Sequence, residues 1–482
     1  MDERAKRRKT MLLSIRDGSA WTVMERTATE YLSAFIVALG FAGQQLSLLM
    51  TLPQALTALV QMASQMLMNR YGRLRVLCDM VFWQSMTLVL IILAAFFVPF
   101  DMLLIVLTVL ITAYYTTGAI GGNAWVSLMG DTIPQRARAK FFSARTRVSS
   151  ITGILALIGS GLIIYYVDPI YGAVVAFSIL FGIGALARLL SYSYLKQSYD
   201  PGFEHLPRSE QFTLLQFVAR FKSSNFARYA LFMALFWLAI FISAPFVVYY
   251  QLEILGFNYV EFTLLKIAFI LTSIFSLKYL ARLCDQYGNR TVFFLSALGI
   301  ALYIGAFGIY ETFTSWLILD MMGGILWASF NLSTANYLFD AVSSKKRALV
   351  NGYVTALRGA GILIGGGLSA YAYSFAVNVQ PYFAQNEYQL IFLGSGALRV
   401  LLVLAFLPLV KEVREVASPS LRNLVFAEVG TGLRFAAHTT FSTAMRPIRY
   451  AKSRIERFEE RELEDALKGM DDEPQDEETK SS

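Results

Sequence analysis

The feature that most constrains this chain is a train of long apolar stretches between Leu32 and Val410, broken at short, regular intervals. A membrane-spanning helix needs about 20 predominantly apolar residues, and this region has room for about twelve. A hydrocarbon core leaves no backbone group unsatisfied, so runs of this length specify helices. Composition agrees. Of 482 residues, 56% are hydrophobic and only 16% charged, against about a quarter charged in soluble domains. The fold class expected is an all-α membrane protein.

The apolar runs and turn formers predict helices at about 20–40, 45–68, 76–99, 102–130, 142–166 and 169–195. After a polar connector they predict six more, at about 228–252, 260–282, 291–310, 314–339, 348–376 and 388–410. Breaks are expected at Gly40, Pro99 with Asp101, Asp168-Pro169, Gly256, Gly288-Asn289 and Pro381. The domain plan is a short N-terminal segment (1–19), a six-helix bundle (20–195), a connector (196–227), a second six-helix bundle (228–410) and a tail (411–482). The tail interleaves apolar residues such as Leu421, Val425 and Phe435 with Arg422, Arg434 and Arg446, which suits an anionic membrane surface, and then turns acidic and disorder-prone.

Lysine and arginine fix the orientation. The loops near residues 42, 101, 168, 256, 312 and 380 contain neither, whereas every intervening loop contains at least one. This alternation predicts that both termini face the cytoplasm. The formal net charge of +8 is therefore read as membrane orientation rather than nucleic-acid binding. A plasma-membrane location, contact with the lipid bilayer and a monomeric state are the matching expectations. Cys78 and Cys284 offer no disulfide framework, and His205 with His438 suggest no metal site. No cofactor, nucleophile elbow or metal cluster is expected, and hence no enzyme. No cleavable signal segment is expected at the basic N-terminus.

An internal repeat of about 210 residues supports two related halves. Asn69-Arg70-Tyr71-Gly72-Arg73 is echoed by Gln286-Tyr287-Gly288-Asn289-Arg290. Asp131 with Arg138-Ala139 is echoed by Asp340 with Arg347-Ala348, and Gly184-Ala185-Leu186 by Gly396-Ala397-Leu398. The loop elements resemble the pattern Gly-x-x-x-Asp-Arg/Lys-x-Gly-Arg-Arg of the major facilitator superfamily, with Gln65, Asn69 and Leu74 as departures in the first half. Ser243-Ala244-Pro245-Phe246 and Trp327-Ala328-Ser329-Phe330-Asn331 are similar to a prokaryotic branch of it.

That resemblance implies two pseudo-symmetric six-helix bundles around a central cavity lined by helices 1, 4, 7 and 10. It also implies secondary transport of a small solute by alternating access. The alternative is a transporter-like sensor or scaffold signalling through its tail. A charge inside the bilayer costs a few kcal/mol and calls for a reason. On helix 1, Arg26 and Glu30 share a face beside Tyr31, with Glu30 as candidate proton carrier. The other cavity candidates are Asn123, Trp125, Trp237, Tyr249, Asp320, Trp327, Asn331 and Arg358. Arg188 and Arg399 are repeat mates expected to be structural or to snorkel, and Lys266 is expected to reach the outer interface. The candidates for a cytoplasmic gate are Asn69, Arg70, Gly72, Arg73, Asp131, Arg138, Asp285, Gly288, Arg290, Asp340 and Arg347, the arginines being able to bind helix-end carbonyls or a carboxylate. The glycines of helices 5 and 11 are expected to allow close helix approach.

Overall fold

The structure, a computed structural model, describes residues 3–61, 64–202, 224–341, 347–383 and 385–413. The body of the connector and the tail beyond Val413 lie outside the described residues.

The first half contains α1 (Glu3–Thr27), α2 (Leu32–Ala38), α3 (Gly43–Gln61), α4 (Ser64–Tyr71), α5 (Arg73–Phe97), α6 (Phe100–Thr132), α7 (Gln135–Tyr171) and α8 (Ala173–Lys196). The second contains α9 (Asn225–Ser243), α10 (Tyr259–Tyr287), α11 (Asn289–Phe307), α12 (Phe313–Ala341), α13 (Arg347–Phe383) and α14 (Glu387–Phe406). After α9 the chain continues through a 3-10 turn, Ala244–Phe246, a single α turn and a π turn, Tyr250–Ile254. Pro245 explains the change of pitch, since it cannot donate to the helical ladder. Among the described residues, ten helical segments are long and apolar enough to cross a membrane, and the protein is a multi-pass membrane protein. Their outward faces carry large apolar side chains such as Phe97, Ile170 and Tyr371, as a lipid-facing surface requires.

Several boundaries differ from the sequence reading. The first crossing is not one helix over 20–40. It begins at Glu3, because Met11 and Ile15 pack with Met68, Val76 and Phe141, and it breaks at a 3-10 turn, Thr29–Tyr31. Asp168-Pro169 lies inside α7, and the break falls instead at Gly172, whose φ of +84° only glycine adopts readily. Pro381 lies inside α13.

The repeat extends to the packing. The first-half pairs α1/α7, α1/α8, α3/α6, α5/α6 and α5/α8 recur as α9/α13, α9/α14, α10/α12, α11/α12 and α11/α14. The halves meet along α3 with α13 and α7 with α10. Glycines make these approaches possible. A Cβ on Gly361 or Gly365 would lie 2.1 or 2.3 Å from the carbonyl oxygen of Ala234 or Leu238. Between the halves, a Cβ on Gly359 would lie 2.2 Å from Ala58 Cβ, and one on Gly161 would lie 2.8 Å from Thr263 Cγ2.

Candidate functional site

The contacts between the halves gather toward one end of the bundle. The Tyr31 and Thr263 hydroxyls are 2.9 Å apart, Gln44 Nε2 donates to Ser374 Oγ at 2.5 Å, and Ser47 Oγ donates to the Gly366 carbonyl at 3.4 Å. The Phe177 and Tyr259 rings meet edge to face at 5.1 Å. These residues lie toward the loops near 42, 168, 256 and 380, which lack lysine and arginine. Along the α7/α10 seam, Gly161 and Thr263 touch, but farther along Ser149, Ser150 and Gly153 face Phe269, Ser273 and Ile274 across open space.

That space is a cavity of about 450 Å³, within the roughly 300–1,000 Å³ usual for small-molecule sites. Its charged lining comes from both halves: Glu25, Arg26, Glu30 and Arg145 from the first, Lys266 and Asp320 from the second. Arg26 and Glu30 form an ion pair across the break between α1 and the 3-10 turn. Asp320 is 7% exposed and accepts a hydrogen bond from Tyr303 Oη at 2.6 Å. Ser149 Oγ and Gln251 Oε1 also line the cavity and make no hydrogen bond among the described residues. A second cavity of about 310 Å³ is bounded by α1, α3, α5, α6 and α13 and includes Arg358. Trp21 and Glu25, one turn apart on α1, line both.

Four sequence candidates therefore line a cavity: Arg26, Glu30, Asp320 and Arg358. The others do not. Tyr31 is fully buried and serves as a contact between the halves. Asn123 donates to Ser64 Oγ at 3.0 Å, and Trp125 Nε1 donates to Ser14 Oγ at 3.2 Å with its ring beneath Arg145. Trp237 stacks beneath Arg358, Trp327 packs on Trp237, and Tyr249 packs on Tyr388. Asn331 is exposed and lines neither cavity.

Lys266, expected at the outer interface, lines the cavity, with its ammonium 5.2 Å from the centre of the Phe262 ring. Trp21, Glu25, Arg145 and Lys266 are site residues the sequence candidates missed. Trp21 and Glu25 carry a legible signal, since residues four apart share a helical face.

Arg188 and Arg399 are interior rather than snorkelling. Arg188 donates to Gln84 Oε1 at 2.8 Å and to Ser191 Oγ at 3.0 Å, and Ser191 in turn donates to Asp17 at 2.6 Å. Arg399 donates to Ser243 Oγ at 2.8 Å.

The gate candidates assemble into two clamps. Gly72 and Gly288, both at φ +83°, turn the chain between helices. Arg73 is fully buried, pairs with Asp131, and donates to Asp200 Oδ1 at 2.7 and 3.0 Å and to the Gly202 carbonyl at 2.5 Å. In the second half, Asn289 donates to Asp340 Oδ2 at 2.6 Å. Arg290 donates to the carbonyls of Val410, at 2.6 Å, and Leu407. Between described residues, these contacts each stay within one half. Arg70 is exposed with its guanidinium over Tyr71, and Asn69 and Asp285 are exposed. The side chains of Arg138 and Arg347 lie outside the described ones.

The chain is similar to known proteins in three ways. Residues 229–452 match the family model of the Major Facilitator Superfamily. A stretch of 131 residues is 31% identical to the major facilitator-type transporter psiT2 of Psilocybe cyanescens, and the chain spans about a quarter of that relative's length. Among solved structures, a point mutant of the nucleoside transporter NupG matches at TM-score 0.63 with 15% identity, over 85% of this chain and all of that one. A D-xylose-proton symporter matches at 0.61 with 14% identity, over 85% and 98%. A bacterial homologue of the iron transporter ferroportin in an inward-facing state matches at 0.60 with 13% identity, over 84% and 99%.

Proposed function

Because the chain has the major facilitator fold and matches that superfamily across its C-terminal half, we infer that it is a secondary transporter carrying a small solute across a membrane by alternating access. One observation carries this reading: charged side chains from both halves face one cavity that is sealed toward one end of the bundle. The positive-inside rule assigns the sealed end to the outside. The described state is then inward-facing, with both termini cytoplasmic and the plasma membrane as the site of action. The moving units are the two halves, α1 to α8 and α9 to α14. Reversal of the tilt would part α3 from α13 and α7 from α10 at the sealed end and close the other.

Protons are the coupling ion this reading favours, since acids line the cavity and one neighbour in fold is a proton symporter. Glu30 remains a candidate carrier, held in its ion pair with Arg26. Asp320 lacks an ion-pair partner among the described residues and is the stronger one.

The test begins with a thermal-shift screen of purified protein for solutes, followed by uptake of each hit into proteoliposomes with and without a pH gradient. Gradient-driven uptake that Asp320→Asn uncouples is the expected result. Binding without any uptake or exchange would overturn the transport reading, and unchanged coupling in both Asp320→Asn and Glu30→Gln would remove these residues from the proton path.

A further inference from the structure

The second cavity has a charge pattern that the fold does not require. Of its lining residues only Glu25 and Arg358 are charged, one on each half of the molecule. Among the described residues neither belongs to an ion pair, with the other or with anything else: Arg26 pairs with Glu30, and Arg145 with Asp17. Glu25 Oε2 accepts the Thr29 hydroxyl at 3.0 Å. The Arg358 guanidinium lies 4.1 Å from the centre of the Trp237 ring and makes no hydrogen bond to a described residue. It is exposed, and the space it faces is the cavity.

Stacking on Trp237 favours the cation but fixes it flat, leaving its fork of donors open. A spanning segment holds such charges only with compensation. Beyond the Thr29 hydroxyl and the Trp237 ring, no described residue is paired directly with either group, so a bound molecule of matching polarity would supply that partner. An arginine fork suits a carboxylate, which it binds bidentately. A carboxylate suits an ammonium. Gln54, Thr57 and Gln84 add uncharged polar groups, and Trp21 and Tyr115 add rings, so the space between the charges suits a compact organic body.

We propose that the cavity shared by α1 and α13 binds a zwitterionic small molecule, with its carboxylate on Arg358 and its cationic nitrogen on Glu25. This deepens the transport reading by naming the class of solute. Because the two charges sit on opposite halves, such a ligand would bridge them and report their separation.

Full-length protein in detergent would be melted with two matched sets of probes, built on the phenylalanine and the leucine skeletons. Each set contains the amino acid, its amide (a cation), the des-amino acid (an anion) and the des-amino amide (neutral). The expected result is a larger rise in Tm with an amino acid than with its three analogues. Arg358→Gln should weaken that ligand at least about tenfold and erase its advantage over the amide, and Glu25→Gln should erase its advantage over the des-amino acid. Arg358→Lys and Glu25→Asp, which keep the charges, should respond partially, and ligand-free melts of all variants report folding. The proposal is overturned if neither amino acid outperforms its neutral analogue, or if the advantage survives both neutralising substitutions. A neutral probe that alone binds and is taken up into proteoliposomes would sink this proposal and leave the transport reading intact. An amino acid that binds but is neither taken up nor exchanged would do the reverse.

Discussion

The two halves solve one structural problem with different chemistry. In each, the chain leaving the last helix, α8 or α14, is caught at the loop that turns on Gly72 or Gly288. In the first half a single buried arginine, Arg73, makes the contacts at that loop: it pairs with Asp131 and holds Asp200 and Gly202 at the start of the connector. In the second half the work is divided. Asn289, at the place of Arg73, holds Asp340, while Arg290 holds the chain after α14 at Leu407 and Val410, and its backbone N–H reaches Glu412. The starts of the halves repeat the logic: Thr10 accepts from the Tyr199 backbone N–H at 2.8 Å, and Asn225 accepts from that of Lys411 at 2.7 Å. The lesson is that a repeat preserves where a segment must be held before it preserves which side chain holds it. A buried charge concentrates the stability of that junction in one residue, and a divided clamp spreads it.

Substitutions can break this comparison. Arg73→Ala should have the largest effect, because it strands Asp131, Asp200 and a carbonyl at once. Removing one partner of a buried ion pair costs about 3–5 kcal/mol, and Asp131, with 56% of its side chain exposed, puts this case near about 3 kcal/mol. The readout is the melting temperature in detergent. Arg290→Ala should cost about 2 kcal/mol, less than two fully buried charge-assisted bonds, because both of its carbonyl contacts are only part-buried and water can replace them. A loss equal to that of Arg73→Ala would show that the second clamp is not divided. Asn289→Ala should cost about 1.5 kcal/mol, the low end for one hydrogen bond to a charged group, with the melt again as the measure.

Much of the fold was legible in the sequence, for a physical reason. Bilayer thickness sets the length of each apolar run, and the loop charges alternate, so the crossings and the repeat could be read with most ends within a few residues. What could not be read was continuity. The helical start at Glu3 depends on the packing of Met11 and Ile15, and Pro169 and Pro381 near helix ends look like breaks although the ladder runs through them. The site was legible as charge and illegible as direction. Arg26, Glu30, Asp320 and Arg358 stood out because charge is rare inside apolar runs. Only the packed bundle turns Lys266 toward the cavity, and Tyr31 and Trp125, aromatics on helices expected to line it, find their partners in packed seams.

The smallest expected effect on stability comes at the seam between the halves. A Cβ at Gly161 would press on Thr263 Cγ2, the tip of a side chain that can yield, so Gly161→Ala should cost less than about 1 kcal/mol. Its larger consequence is to weaken the sealed end. More rapid labelling of a cysteine placed at Thr263 from the outside of proteoliposomes, relative to the same cysteine with Gly161 intact, is the outcome that supports a seam able to part.

Paired distances test the rocking of the halves most directly. With the native Cys78 and Cys284 replaced, one pair of spin labels at Gln44→Cys and Ser374→Cys reports the sealed end, and a second pair at Arg147→Cys and Lys278→Cys reports the open end of the α7/α10 seam. Halves that rock would give two populations for each pair, shifting in opposite directions when a transported solute or a change of pH is applied: one end lengthens as the other shortens. One fixed distance at each end under every condition would contradict rocking.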